Sequence, residues 1–150
     1  APRLGKASGA RALEHQGDVV LEFLPRYGGD LILESGKKSK TLGHFCKCKV
    51  LKTDNENYTE VKYPVLYGRT AATSVWTEYE VKDILLMWEL VIQGGAWYNF
   101  SEIFLTELKD RFPEKEIPEK FQGGDSIIKF LEDNEEIQSY IFDKIVKSLP

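Results

Sequence analysis

Two cysteines, two histidines and a single methionine in 150 residues leave several kinds of chemistry without their usual side chains. A small secreted domain held together by disulfides needs more cysteine than this. Cys46 and Cys48 lie two residues apart in a segment predicted to be a strand, and a disulfide between them would strain an extended backbone. With His44 they supply at most three metal ligands, one short of a closed tetrahedral site. No metal is therefore expected, and two small thiols on a buried strand face are the better reading. No apolar run approaches the roughly 20 residues of a membrane helix, and no secretory signal opens the chain. These absences point to a cytoplasmic protein. No Ser-His-Asp or paired-carboxylate arrangement is evident, and His15 reads as a packing and hydrogen-bonding residue. The methionine is Met87 and the first residue is Ala1, so the chain reads as a fragment, a processed product or a trimmed chain.

What is present is an ordinary globular composition. Hydrophobic residues make up 42% and charged residues 29%, within the usual range for a folded domain. The length suits one domain or two small ones. The net charge of -4 is unevenly spread. Residues 1–53 carry about five more cations than anions, and the remainder about nine more anions than cations. A basic segment thus precedes an acidic one. The basic part can face phosphates or simply be a solvated face.

Residues 1–11 read as a mobile basic loop, followed by a short helical turn over 12–16. The apolar run 18–24 predicts a strand buried on both faces. Residues 31–35 form another candidate strand, and 36–40 a basic hairpin tip. In 44–51, Cys46, Cys48 and Val50 alternate with Lys47 and Lys49, the period of a half-buried strand. Residues 58–68 read as a strand whose Pro64 marks an edge or a bulge. Thr77 and Glu80 fit a capping box. Val81, Ile84, Leu85, Trp88, Val91 and Ile92 then recur at helical spacing, with Gly94-Gly95 as the stop. A short aromatic strand, a helix over 103–112, a strand and turn near 119–126, a helix capped by Asp125 and a last helix bearing Ile137, Ile141 and Ile145 complete the chain. The aromatic set Trp88, Trp97, Tyr98 and Phe100 is assigned to core packing.

Four segments carry a resemblance. "SGARALEHQGDVVLEF" resembles the segment after the second DNA-binding loop of RecA-like ATPases, the superfamily of RecA, the RadA/Sms proteins and phage UvsX recombinases, with Ala10 in place of a second glycine. "CKVLK…YTEVKYPVLYG" is similar to the strand pair that follows. "GGAWYNF" matches a Gly-Ala-Trp-Tyr motif, and "EKFQGGDSIIKFLEDNEEI" a later turn and helix, with Glu135 where a proline is usual. The four occur in the family's order over nearly the whole chain. "RTAATSVWTEYE" and the longer stretch after Trp97 depart from bacterial RecA, and this divergence looks more like a bacteriophage homologue.

The resemblance implies an α/β chain in two parts. Residues 1–72 would be the C-terminal strands of a RecA-type ATPase core, and 73–150 a small α+β C-terminal domain. It implies a parent that binds ATP and Mg, forms a helical homo-oligomeric filament on single-stranded DNA and exchanges strands in recombination and repair. Arg3, Lys6 and Arg11 match the end of a DNA loop, where cations meet phosphates. Lys52 matches a lysine that reaches the neighbouring subunit's nucleotide, although Asp54 stands where a second cation is expected. Lys120 matches a possible duplex contact, while Gln93 and Asp125 replace two basic positions. No "GxxxxGK[ST]" loop occurs, and no catalytic Glu aligns. The chain alone is therefore expected neither to bind ATP tightly nor to hydrolyse it. The alternative is a non-enzymatic adaptor that binds DNA or a recombinase. Either way, an isolated half-sheet is expected to expose a strand edge and an apolar face.

Overall fold

The computed structural model describes residues 19–34, 40–52, 58–70 and 73–149. The chain divides into two compact units, with the boundary between Val75 and Trp76.

The first unit is an antiparallel sheet built around one long strand. β1 (Val19–Phe23), β2 (Leu31–Leu33), β3 (Thr41–Lys52) and β4 (Tyr58–Leu66) form it, with a 3-10 turn at Gly28–Asp30 between β1 and β2. β1 and β2 lie along one edge of β3, and β4 along the other. The β3–β4 register runs unbroken from Gly43↔Leu66 to Leu51↔Tyr58. Pro64 therefore sits without a bulge, on a strand that can spare an amide because only one of its sides is fully laddered. Gly43 is needed where it stands: a Cβ there would lie 1.9 Å from the Val65 carbonyl oxygen.

The run from Val19 is a strand, but it is not buried on both faces. Val19, Leu21 and Phe23 are 51%, 57% and 59% exposed, so the sequence-based expectation fails here. A continuous apolar run reports how a strand is meant to be covered, and no described residue covers this face. The loop and helical turn expected over 1–16, the tip at 36–39 and the connection at 53–57 lie outside the described residues.

The second unit contains the principal core. α1 (Thr77–Met87), β5 (Val91–Gly94), β6 (Trp97–Phe100), α2 (Glu102–Arg111), β7 (Lys120–Gln122), α3 (Gly124–Asp133) and α4 (Glu135–Ser148) follow in order. The antiparallel sheet has the order β5-β6-β7. Leu85, Leu108, Ile127, Leu131, Ile137 and Ile141 are wholly buried. Phe100 lies edge-on to Phe104, Phe121 and Phe130, with centroids 5.7, 5.4 and 6.2 Å away. Such offset aromatic contacts add to the area they bury. Ile137, Ile141 and Ile145 share the inward face of α4, as their spacing predicts.

Three details differ from the sequence reading. α1 begins at Thr77 with Trp76 as N-cap and no side-chain cap, so Thr77 and Glu80 do not form a capping box. α1 ends at Met87, well before the glycines. Its close is a Schellman motif: the Leu90 amide donates to the Leu85 carbonyl and the Glu89 amide to the Leu86 carbonyl. Glu89 occupies the left-handed position at φ 57 that glycine usually fills. Val91 and Ile92 belong to β5, and Gly95 (φ 61) turns the β5–β6 hairpin, where the first turn residue of a II′ turn requires positive φ. Finally, Gly123 at φ 79, not Asp125, is the N-cap of α3.

Candidate functional site

The site begins with the period of two along β1. Cross-strand partners share a face, and the register pairs Leu21 with Val50 and Phe23 with Cys48, which in turn faces Val61 of β4. Val19, Leu21, Phe23 and Val61 (43% exposed) thus lie on one side of the sheet around the buried Cys48. The opposite side carries Glu22, Lys49 and Glu60 in one register row. Along β1 the more exposed side is wholly apolar: Val19, Leu21 and Phe23 face outward, while Val20 and Glu22 share the half-buried side, with Glu22 Oε1 enclosed and without a hydrogen-bond partner among the described residues. A face of this kind is the physical signature of an interaction surface. The outer edge of β1 pairs with no described strand, so its backbone groups can accept a further strand.

A polar cluster edges this face. His44 Nδ1 lies 2.8 Å from the Tyr67 hydroxyl, the two rings are 5.4 Å apart, and Arg26 donates to the same hydroxyl. On the other face, Asp30 Oδ1 lies 2.8 Å from Lys47 Nζ, and the Tyr27 amide donates to Asp30 Oδ2. The hydrogen bond from Lys47, then that of Tyr27, lowers the Asp30 pKa, and Asp30 in turn raises that of Lys47. Lys62 Nζ sits 4.2 Å over the Phe45 ring. The lysines of β3 and β4 therefore interleave with carboxylates and rings rather than forming a bare cationic stripe.

Among the described residues no cluster of three or more His, Cys, Asp or Glu side chains fit for a metal occurs. Both cysteines are free thiols. A hydrogen bond with Cys46, then burial, pushes Tyr63 up to about 12.

The site residues taken from the resemblance are not brought together. Arg3, Lys6 and Arg11 lie outside the described residues. Lys52 closes β3 opposite Val19, and its side chain lies outside the described atoms. Lys120 opens β7 in the second unit, exposed and opposite Asn99. Gln93 and Asp125 are exposed on β5 and in the first turn of α3. Of the aromatic set assigned to the core, Phe100 is buried and Trp88 and Tyr98 are half-buried, but Trp97 is 47% exposed. That assignment is corrected for Trp97, because it lies on the outward row of β6, out of phase with Phe100. The alternation of β6 held this signal, and so did Glu22 within the apolar run of β1.

In class, the chain is a mixed α/β protein whose described strands all pair antiparallel. No described helix is long and apolar enough to cross a membrane. No protein-family model matches it. It is 28% identical over 141 residues to the protein RecA of Ruminococcus albus, a match covering 93% of this chain and 29% of that one. The chain thus spans about three tenths of the length of this curated relative. A partial similarity of this strength suggests distant homology to the RecA recombinase superfamily and goes no further.

Proposed function

We propose that the chain is a non-enzymatic module of RecA type that docks, through the outward face and free edge of β1, on a larger nucleotide-binding partner. The observation that carries this reading is the exposed, wholly apolar side of β1. Val19, Leu21, Phe23 and Val61 are each about half exposed, and covering them is worth about 1 kcal/mol apiece. Four such gains barely match the lower end of the association cost. Docking therefore also draws on strand addition along β1, which supplies main-chain hydrogen bonds. The partner suited to this is the ATPase half of a RecA-type protein: the match covers only 29% of the relative, and this sequence carries no Gly-rich phosphate loop of its own.

A second reading is favoured by that same span. Here the chain is the carboxy-terminal portion of a recombinase that forms an ATP-dependent filament on single-stranded DNA and exchanges strands. The β1 face then packs on the ATPase half of its own polypeptide, which holds ATP and Mg. Arg3, Lys6 and Arg11 contact the strand, and Lys52 reaches a neighbouring subunit's nucleotide. The size of the native polypeptide carrying this sequence separates the two readings.

Both readings give the 150 residues no nucleotide site of their own, since the sequence has no Gly-rich loop ending in Lys-Ser/Thr. Calorimetric titration with ATP and Mg is expected to give no binding, and submicromolar affinity overturns this. Hydrogen exchange at the β1 amides is expected to slow when a RecA-type ATPase half is added. Unchanged exchange at Val19–Phe23 counts against docking.

A further inference from the structure

α4 is apolar on two sides, and the core of its own unit uses one of them. Ile137, Ile141 and Ile145 are buried, while Phe142, Val146 and Leu149 are 46%, 49% and 58% exposed. These three recur at i, i+4 and i+7, so they form one stripe along the outside of the helix. Beside the stripe, where the end of α2 meets the first turns of α4, lies an open cleft of about 470 Å³. Phe112, Glu135, Glu136, Tyr140 and Asp143 line it, and Ser139, one turn before Phe142, joins it to the stripe. Its aromatic wall is held in place: Phe112 meets Tyr140 edge-on with centroids 5.7 Å apart, and the Tyr140 hydroxyl donates to Glu107 at 2.6 Å. The Tyr140 ring already carries one cation, the Arg111 guanidinium 5.5 Å from its centroid. Glu136 pairs with Lys115 at 3.4 Å. Glu135 and Asp143 take part in no ion pair among the described residues. Around the cleft the charge is of one sign, since residues 76–150 hold 16 Asp/Glu against eight Lys/Arg.

We propose that this side of α4 and the adjoining cleft bind a basic amphipathic helix of a partner protein, with its apolar face on Phe142, Val146 and Leu149 and an arginine or lysine in the cleft. Anchors at i, i+4 and i+7 span about 10 Å along the helix axis, and a facing helix covers such a ridge with anchors of the same spacing. The sign of the charge then selects the partner. Glu135 and Asp143 attract a cation and repel a carboxylate, and the surplus of anions in this unit extends that preference beyond contact. A cation entering the cleft also meets aromatic faces, as Arg111 on Tyr140 already does. Other occupants fit less well. A nucleic acid or an anionic membrane brings charge of the wrong sign. A second copy of the chain, related by a two-fold axis, sets the same acidic rim against itself. Three half-exposed side chains are too few to hold a partner by burial alone, so the ion pairs decide both affinity and specificity. The proposal concerns the second unit and does not depend on docking through β1.

The test is fluorescence anisotropy of a labelled helical peptide of about 18 residues, with leucine on one side and arginine along both flanks, titrated with the full 150-residue chain. The same peptide with glutamate in place of arginine is the comparison. The arginine peptide is expected to bind, more weakly as salt rises, and the glutamate peptide is not. Glu135→Gln/Asp143→Asn is expected to weaken binding by about tenfold, the scale of two exposed ion pairs, and Phe142→Ser/Val146→Ser by about as much. Glu89→Gln/Glu102→Gln removes the same charge outside the cleft and is expected to change binding by less than about twofold. Unchanged thermal unfolding establishes that each variant folds. Failure of the arginine peptide to bind, equal binding of the two peptides, indifference to Glu135→Gln/Asp143→Asn, or an equal loss in Glu89→Gln/Glu102→Gln would each overturn the proposal. So would binding that Leu21→Asp/Phe23→Asp abolishes and Phe142→Ser/Val146→Ser leaves intact, which puts the peptide on β1, and so would self-association through the α4 stripe that excludes the peptide.

Discussion

Replacing Glu89 with glycine is expected to stabilise the second unit, and the size of the gain follows from the close of α1. Glu89 holds φ 57, a conformation in which Cβ crowds the backbone at a cost of about 1–2 kcal/mol for an ordinary residue. Two hydrogen bonds hold it there, Glu89 N to Leu86 O at 3.1 Å and Leu90 N to Leu85 O at 2.9 Å. Glycine removes the crowding and keeps both bonds, but it loses about 0.5–1 kcal/mol more chain entropy on folding. The net gain is about 0.5–1 kcal/mol, and 1 kcal/mol raises the Tm of a unit this size by about 4–8 °C. Thermal unfolding followed by far-ultraviolet circular dichroism measures it. Glu89→Ala serves as the control and is expected to leave Tm nearly unchanged, because alanine retains Cβ. A lower Tm for Glu89→Gly, or an equal rise for Glu89→Ala, would refute the reasoning.

Three further outcomes follow from the packing. Leu85→Ala, at a wholly buried position, is expected to cost about 2–5 kcal/mol by chemical denaturation, and a cost under 1 kcal/mol would contradict the assigned core. Gly43→Ala is expected to loosen the β3–β4 pairing, because the new Cβ would meet the Val65 carbonyl oxygen at 1.9 Å. Faster hydrogen exchange across that pair, with the second unit unaffected, is the readout. Glu107 accepts hydrogen bonds from Lys144 Nζ and the Tyr140 hydroxyl, each at 2.6 Å. The Lys144 bond, then that of Tyr140, holds its carboxyl below the usual 4.5. A lowered folded pKa gives stability that is present above the unfolded value and lost as pH falls through the folded one. Lys144→Met is thus expected to cost about 1 kcal/mol or less at neutral pH, since the pair is about one-third exposed. That difference is expected to shrink below about pH 4, and one that grows on acidification would contradict the pairing.

Much of the second unit was legible because helical spacing and aromatic content agreed. Ile137, Ile141 and Ile145 lie on one buried face as their period requires, and the helix expected over 103–112 forms as Glu102–Arg111. The end of α1 was not legible. Val91 and Ile92 continue its helical period, and the stop is a left-handed glutamate that no residue-type rule marks. The faces of β1 were legible only in part. The apolar run 18–24 announced a strand but read as buried on both faces, and composition cannot say whether anything covers Val19, Leu21 and Phe23. Trp97 was misjudged for a related reason: aromatic content argues for a core, and only the register of β6 shows which rings face it. The loop cations Arg3, Lys6 and Arg11 rest on resemblance alone.

The central claim is that the apolar side of β1 exists to be covered by a larger RecA-type partner. Its most direct measurement is the affinity of this chain for a RecA-type ATPase half, compared with that of a Leu21→Asp/Phe23→Asp variant. The account predicts saturable binding for the parent chain and at least a tenfold loss for the variant, with the second unit's unfolding transition unchanged. No association by the parent chain, or equal binding by both, would contradict it.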